Sequence, residues 1–370
     1  MKHLVMLGAG HAHLHLLSTL AAQPMASVQI TLVAPYPRQL YSGMLPGFVA
    51  GHYALEDCVI ALAPLLANSG VTHLQRSAVG LDAEARRLTL DDGSTLGYDL
   101  LSVNSGPVQD RAKIEQMIPG AREHALFVRP IELFGALWPQ VLALADSRAL
   151  QVVVIGGGAV GIELSMAVAH SLKGASVTLL AGDAALAASY PPAVQARVVQ
   201  ALKDRHITVI RERACGIAAG EVLLGNGAQL ACDVPLIAIG AQAPAWLQGS
   251  GLVLDEQGFI AVNEYQRSSS HPQVFAAGDV SSRIDCQLAR SGVYAVRAGP
   301  ALAKNLRAVL AGVEPDSYRP PDKTLNLLST GDRGAIASWG NWSAQGRWVG
   351  WLKDRIDRGF VKKYRLPARR

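Results

Sequence analysis

An α/β fold with two Rossmann-like dinucleotide-binding units and a small C-terminal segment is predicted by three observations. Two glycine-rich turns, Gly8-Ala9-Gly10 and Gly156-Gly157-Gly158-Ala159-Val160-Gly161, each follow an apolar strand and open a helical stretch. Each is followed by the same succession of strand, hairpin and closing strand. Half of the 370 residues are hydrophobic, 17% are charged and 36 are glycine, the balance of a chain with buried cores. One such turn serves one dinucleotide. Two turns imply two, and the economical reason to hold two is to pass electrons between them.

In the first copy, Lys2–Leu7 reads as a strand, a helix follows Gly8-Ala9-Gly10 to about Ala22, and Val28–Val33 is the next strand. Arg87–Leu90, the turn Asp91-Asp92-Gly93 and Thr95-Leu96 make a hairpin, with Asp-Gly supplying the positive φ of the turn. Leu100–Val103 closes the copy and runs into Asn104-Ser105-Gly106-Pro107. The second copy repeats this plan with Gln151–Ile155, a helix to about Leu172, Ser176–Leu180, a hairpin around Gly225-Asn226-Gly227, and a closing strand over 234–239. The stretch 274–278 has no partner left in the second copy, so it is expected to return to the first. The resulting boundaries are 1–110 and 256–318 for the first unit, 111–255 for the second and 319–370 for the tail, whose entry is marked by Pro315, Pro320 and Pro321.

Met1 to Leu7 reads directly as the first strand, which predicts no cleaved leader, and no apolar run reaches the roughly 18 residues that span a bilayer. Cys58, Cys215, Cys232 and Cys286 show neither CxxC nor zinc spacing and read as reduced thiols of a cytosolic protein. The net charge of +5 is concentrated in residues 347–370, where nine Lys/Arg face two Asp; the tail carries +7 and the rest −2. A basic tail on a slightly acidic body argues against nucleic acid as the partner.

The second turn satisfies G-x-G-x-x-G in full at Gly156, Gly158 and Gly161. The first glycine permits the tight turn, the second lets backbone approach a pyrophosphate, and the third lets helix pack on strand. The helix N-terminus then offers N–H groups and a positive dipole end to phosphates. In the first turn the third position is His13, so its helix is expected to sit further from the strand. The acidic residue that holds a ribose at the end of the second strand is missing from both copies: Ala34-Pro35 stands in one, Ala181-Gly182 in the other, with Asp183 one step late. NADH against NADPH stays open, Asp183 favouring NADH. His11, His13 and His15 resemble a metal cluster, but only His11 and His15 share a helical face, and no metal is expected. Val274-Phe275-Ala276-Ala277-Gly278-Asp279 is a strand that delivers a carboxylate to a sheet edge, where it can accept from polyol hydroxyls. Downstream, Ser291-Gly292-Val293-Tyr294-Ala295 opens a further helix, to about Leu310.

Together these residues resemble the pyridine nucleotide–disulfide oxidoreductase superfamily over essentially the whole chain, in the branch of type II NADH dehydrogenases and sulfide:quinone reductases. Tyr41-Ser42-Gly43-Met44-Leu45-Pro46-Gly47, Val49-Ala50-Gly51-His52-Tyr53, Leu328-Ser329-Thr330-Gly331-Asp332-Arg333 and Leu352-Lys353-Asp354-Arg355-Ile356-Asp357-Arg358 are similar to the NADH-dehydrogenase-like module fused ahead of selenophosphate synthetase (selenide, water dikinase). The resemblance implies FAD at Gly8, Ala9, Gly10, His11, Val79, Ser105, Gly106, Gly278, Asp279 and Val293, with the helix opening at Val293 facing the flavin. It implies NAD(P)H at Gly156, Gly158, Gly161 and Gly240. It also places Glu163 at the flavin–nicotinamide contact, either as a catalytic residue or as packing. The dithiol of the disulfide reductases is missing, since no cysteine lies between Tyr41 and Gly47 and Cys58 stands alone. Electrons are then expected to pass from flavin straight to a small acceptor, quinone above all. A reductase of selenium or sulfur metabolism and a redox-sensing flavin-binding protein with little turnover are the competing readings.

The tail holds Trp339, Trp342, Trp348 and Trp351, four of the six tryptophans. From Trp348, apolar residues recur at Leu352, Ile356 and Phe360, with Val349 beside them and Lys353, Arg355, Arg358, Lys362 and Lys363 largely away from them. A helix lying in a lipid interface fits this pattern, placing the protein on the inner face of the cytoplasmic membrane. Docking on its own domain, or on a partner protein, fits it as well. Oligomeric state leaves no trace in the sequence.

Overall fold

The strand residues of both copies are Val-, Ile- and Leu-rich on both faces, which only a sheet covered on both sides can accommodate. The computed structural model describes residues 1–67 and 69–366 and contains two such sheets. In the first, five parallel strands run in the order Val274–Ala276, Leu100–Val103, Lys2–Leu7, Val28–Val33, Val71–Leu74. In the second the order is Leu126–Phe127, Val234–Ile237, Gln151–Ile155, Ser176–Leu180, Thr208–Ile210, again all parallel. Four strands of each sheet follow the same order, so the internal repeat extends to topology; the edge strand comes last in the chain in the first unit and first in the second.

Correspondence reaches the hairpin inserts. Ala78–Asp82, Arg87–Leu90 and Thr95–Gly97 form an antiparallel sheet, as do Ala214–Ala218, Glu221–Leu224 and Gln229–Ala231. Both carry a register irregularity at the same place, between Ala78 and Gly80 and between Ala214 and Gly216. Val274–Ala276 pairs with Leu100–Val103, so the chain does return to the first sheet. It begins to return early: Trp246, Leu247 and Leu252 already pack with Val5, Leu7 and Val33, ahead of the expected crossing at 256. The two connecting strands lie side by side, Val108 and Gln242 exchanging reciprocal backbone hydrogen bonds of 2.9 Å.

Four helices matter for the site: α1 (His11–Ala22), α2 (Ala159–Ser171), α3 (Gly292–Leu310) and α4 (Arg347–Tyr364). Small residues let α1 and α3 pack closely, for a Cβ at Gly299 would lie 3.3 Å from the Cα of Ala12. The tail forms a three-stranded antiparallel sheet, Asn326–Ser329, Ala335–Trp339 and Trp342–Gly346, against which α4 packs.

The docking face of α4 is not the apolar stripe expected from Trp348 through Phe360. Val349, Phe360, Val361 and Tyr364 are buried, whereas Trp348 and Ile356 are exposed. A four-residue repeat advances by about 40° per step on a helix of 3.6 residues per turn, so Trp348 and Phe360 end on different faces. Lys353, expected on the solvent side, is instead sealed with Asp357, their side chains 13% and 7% exposed. α4 therefore docks on the body while leaving Trp348 and Trp351 outside. Arg369 and Arg370 of the basic tail lie outside the described residues. No described helix is long and apolar enough to cross a membrane.

The glycines of the second turn have separable roles. A Cβ at Gly161 would fall 1.9 Å from the Gly156 carbonyl oxygen, whereas one at Gly158 would meet nothing within 4 Å. Gly161→Ala is expected to destabilise the protein by about 2–3 kcal/mol, and Gly158→Ala by no more than about 0.5 kcal/mol. Urea unfolding of the two variants checks both.

Candidate active site

Parallel sheets place their strand ends, and the loops that follow, around one crevice. The carboxyl ends of Lys2–Leu7, Val28–Val33, Leu100–Val103 and Val274–Ala276 open on a cavity of about 1040 Å³. The N-termini of α1, α2 and α3 all face it, through Gly10-His11, Ala159-Val160 and Ser291-Gly292-Val293. Neither α1 nor α2 has an acidic residue in its first turn, so both present uncompensated positive dipole ends.

The first turn is held by Asn104. Its backbone carbonyl accepts from the Gly10 N–H at 3.1 Å. Its side-chain Oδ1 accepts from the N–H groups of Ala12 and His13 at 3.0 and 3.2 Å, and its Nδ2 donates to Ala277 O at 2.5 Å. A Cβ at Gly8 would come within 2.4 Å of Ser105 Cα, and one at Gly10 within 2.4 Å of Asn104 O. Gly8 also has φ +85°, so two separate constraints require glycine there.

His13, which takes the place of a third glycine, is fully buried. Its Nδ1–H donates to Gly8 O at 2.5 Å and its Nε2 accepts from the Ser102 hydroxyl at 2.7 Å. Burial pulls its pKa down to about 4, in keeping with a neutral ring. The imidazole thus bridges turn and sheet at the position where the second unit has Gly161. His11 points elsewhere, its ring 5.3 Å from those of Tyr41 and Phe360, so the three histidines do not converge.

Gly8, Ala9, Gly10, His11, Ser105, Gly106, Gly278, Asp279, Val293 and Glu163 all line the large cavity. Val79 does not: its side chain is 53% exposed, and Ser77 and Ala78 line the wall instead. Gly156, Gly158, Gly161 and Gly240 do not line it; their neighbours Ala159, Val160 and Ala241 do, and Gly158 and Gly240 are exposed. Asp183 is exposed and ion-paired with Arg213.

Chain reading missed several wall residues. Arg129 lines the cavity beside Asp279; burial raises the Asp279 carboxyl pKa, and Arg129, followed by Arg290, opposes that rise. Lys353 and Asp357 bring the C-terminal helix into the wall, with Ile356 and Phe360 on the same face. Their i,i+4 spacing is visible in the sequence, but it also describes an ordinary solvated pair. Glu163 Oε1 accepts from the Ser329 N–H at 2.7 Å. Burial, with Asp357 adding to it, pushes the Glu163 pKa up to about 7, against the pull of Lys353 and the Ser329 N–H. Burial disfavours the Lys353 ammonium, yet Asp357 and then Glu163 hold its pKa above the usual lysine value. None of the four cysteines lines this cavity, and burial pushes the Cys58 thiol up to about 12.

A cavity with helix N-termini and backbone cradles from two repeated units defines a protein that binds two dinucleotides. Residues 2–305 match the pyridine nucleotide-disulphide oxidoreductase family, to which the chain belongs. Its cofactors are FAD and NAD(P)H. An NADH dehydrogenase-like protein of Mycobacterium tuberculosis is 28% identical over 242 residues, which is 62% of this chain and 60% of that protein. Ferroptosis suppressor protein 1 of Xenopus tropicalis is 25% identical, covering 72% and 71%. Among solved structures, sulfide:quinone oxidoreductase of Aquifex aeolicus superposes with a TM-score of 0.79 at 18% identity, covering 99% of this chain and 92% of its own. NDH2 of Plasmodium falciparum in complex with NADH gives 0.79 at 13% identity, covering 98% and 97%. These structural likenesses concern the fold.

The residues present fit both cofactors, through the cradles a Cβ would fill, the cavity volume and the buried Asp279–Arg129 neighbourhood. Removing the Asn104 side chain would orphan two helix N–H groups and the Ala277 carbonyl. Asn104→Ala is expected to destabilise the protein by about 2–4 kcal/mol and to lower retention of FAD on purification, both measured on the same preparation by thermal melting and absorbance.

Proposed function

We propose that this chain oxidises NAD(P)H and delivers the two electrons, by way of bound FAD, to a quinone: NAD(P)H + H⁺ + quinone gives NAD(P)⁺ + quinol. The observation that carries this reading is the meeting of Glu163 and Lys353, a proton carrier and a fixed cation, in the cavity that the three helix N-termini share. In this reading Gly8, Gly10, the His11 N–H, Ser105, Gly106, Gly278, Asp279 and Val293 hold FAD, with Arg129 beside its pyrophosphate. Gly156, Gly158, Gly161 and Gly240 receive the nicotinamide nucleotide at the mouth of α2. Bound there, FAD would supply the two-electron chemistry that links a hydride donor to the acceptor.

The protein's own work is to position and to manage protons. Leu325, Leu327, Ile356 and the stacked Tyr41–Phe360 pair, its ring centroids 4.4 Å apart, offer an apolar slot for a planar acceptor. Lys353 stabilises negative charge developing on the acceptor oxygen. Glu163 supplies a proton, its Oε1 being engaged by the Ser329 N–H while the other oxygen remains to donate. With no thiol in the cavity wall, a persulfide or selenide relay has no local nucleophile.

A quinone tail needs an apolar surface. Trp339, Trp342, Trp348, Trp351 and Ile356 are all exposed on the C-terminal segment, and Ile356 also lines the cavity. Arg347, Arg355 and Lys362 lie exposed on the same segment. This arrangement supports contact with an anionic membrane surface, with the acceptor entering beside α4.

Anaerobic NADH or NADPH is expected to bleach the yellow protein and a short-chain quinone to restore its colour within one mixing experiment. Reduced protein that only a selenium or sulfur compound reoxidises would contradict the reading. Because Glu163 is protonated below about pH 7 and loses its proton above, quinone reduction should plateau at acid pH and fall as pH rises through 7. Glu163→Gln should remove that limb and slow the step roughly 100-fold. Replacing Trp348 and Trp351 together by serine should weaken cosedimentation with anionic vesicles while leaving reduction by NAD(P)H intact; unchanged cosedimentation would exclude this surface as the membrane face.

A further inference from the structure

We propose that Asp357 is the positioning residue that aims Lys353, fixing its ammonium so that a single uncommitted N–H points into the cavity at the acceptor's oxygen; the identity of that acceptor rests on the quinone reading. An ammonium has three N–H donors. One goes to Asp357 Oδ2 at 2.7 Å and one to the Gly43 carbonyl at 2.7 Å. The third has no acceptor among the described residues, and Lys353 is part of the cavity wall.

Asp357 is itself held. Tyr41 lies against it, its buried hydroxyl favouring the Asp357 carboxylate, and the Tyr41 ring stacks on Phe360 from the next turn of α4. The contrast with its neighbour is instructive. Arg358 and Asp354 are also an i,i+4 pair on α4, at 2.9 Å, but with side chains 51% and 42% exposed. That outer pair is open to water, with the Tyr53 hydroxyl also donating to Asp354 at 2.7 Å, and it does not touch the cavity. The inner pair is sealed in a polar wall, where a sealed ion pair gives little net stability and apolar residues would serve folding as well. Geometry is what the inner pair supplies: a long, flexible lysine is held in one rotamer by two bonds at right distance, with its charge kept.

The charged and titratable groups facing Asp357 are Lys353 and Asp354 on its own helix, Tyr41, Tyr53 and Cys58 from the N-terminal segment, and Glu163 from α2. Neutralising Asp357 removes the negative neighbour that favours protonated Glu163 and charged Lys353. Both groups then lose their protons at lower pH.

The test is Asp357→Asn in the full-length FAD-loaded protein, compared with Asp354→Asn. Reduction by NAD(P)H should stay within about twofold in both. Reoxidation of D357N by a short-chain quinone should slow at least 10-fold, with its alkaline limb moved to lower pH, while ferricyanide, which takes electrons without protons, should reoxidise it at the wild-type rate. D354N should match wild type throughout. An unchanged quinone rate and pH profile in D357N would overturn the proposal, as would an equal loss with ferricyanide, the mark of a merely structural role. Should wild-type protein prove inert to quinones, the acceptor reading fails on its own. The positioning is then read from crystal structures: Lys353 Nζ leaving Gly43 O in D357N supports it, and Nζ staying at 2.7 Å overturns it.

Discussion

Asn104 is the tie on which the site depends. It stands where Leu100–Val103 ends, and its backbone and side chain reach three separate segments: the Gly8–Gly10 turn, the first turn of α1 and the Ala277 carbonyl. The first two are consecutive near the start of the chain, and Ala277 lies in its last third. By bonding them to one residue, the fold brings Asp279 beside the glycine turn although Gly10 and Asp279 are 269 positions apart in the sequence. The same contact excludes side chains at Gly8 and Gly10, leaving bare backbone and a helix dipole to face the cavity. Binding surface and structural tie are therefore the same set of atoms.

The second unit repeats the device with different chemistry. There Gly161 allows α2 to meet its strand directly, whereas the first unit inserts the His13 ring between turn and strand. The two linkers run side by side as a backbone-bonded pair at Val108 and Gln242, and the units also share a common core and one cavity. The tail closes that cavity from the third side. α4 is thereby two things at once: an inner face of Lys353, Asp357 and Phe360 that belongs to the site, and an outer face of tryptophans.

Much of this was legible in the chain because the relevant signals are local. Strand, glycine turn and helix are contiguous, and their repetition announced two equivalent units. Asp279 was readable because an apolar strand leads straight into it. What escaped notice depends on distant partners. Arg129 looks like any arginine before a proline until the fold sets it beside Asp279. Lys353 and Asp357 carry an i,i+4 pattern that a solvated helix shares, and only the packing of α4 distinguishes the buried pair from Arg358–Asp354. The misread stripe on α4 has the same origin: a four-residue spacing drifts around a helix, so the face that docks is set by what lies opposite. Ala78, rather than Val79, meets the cavity because the strand's register irregularity decides which residue turns inward.

In the proposed function both cofactors meet in one cavity, stacked closely enough for direct exchange. Anaerobic titration of the FAD-loaded protein with reduced and oxidised nicotinamide nucleotide, followed at wavelengths beyond the flavin absorption, tests it most directly. Stacked rings produce a broad charge-transfer band that grows in with saturation and accompanies loss of yellow colour. Saturable nucleotide binding with neither band nor bleaching would place the two ligands apart and contradict the account.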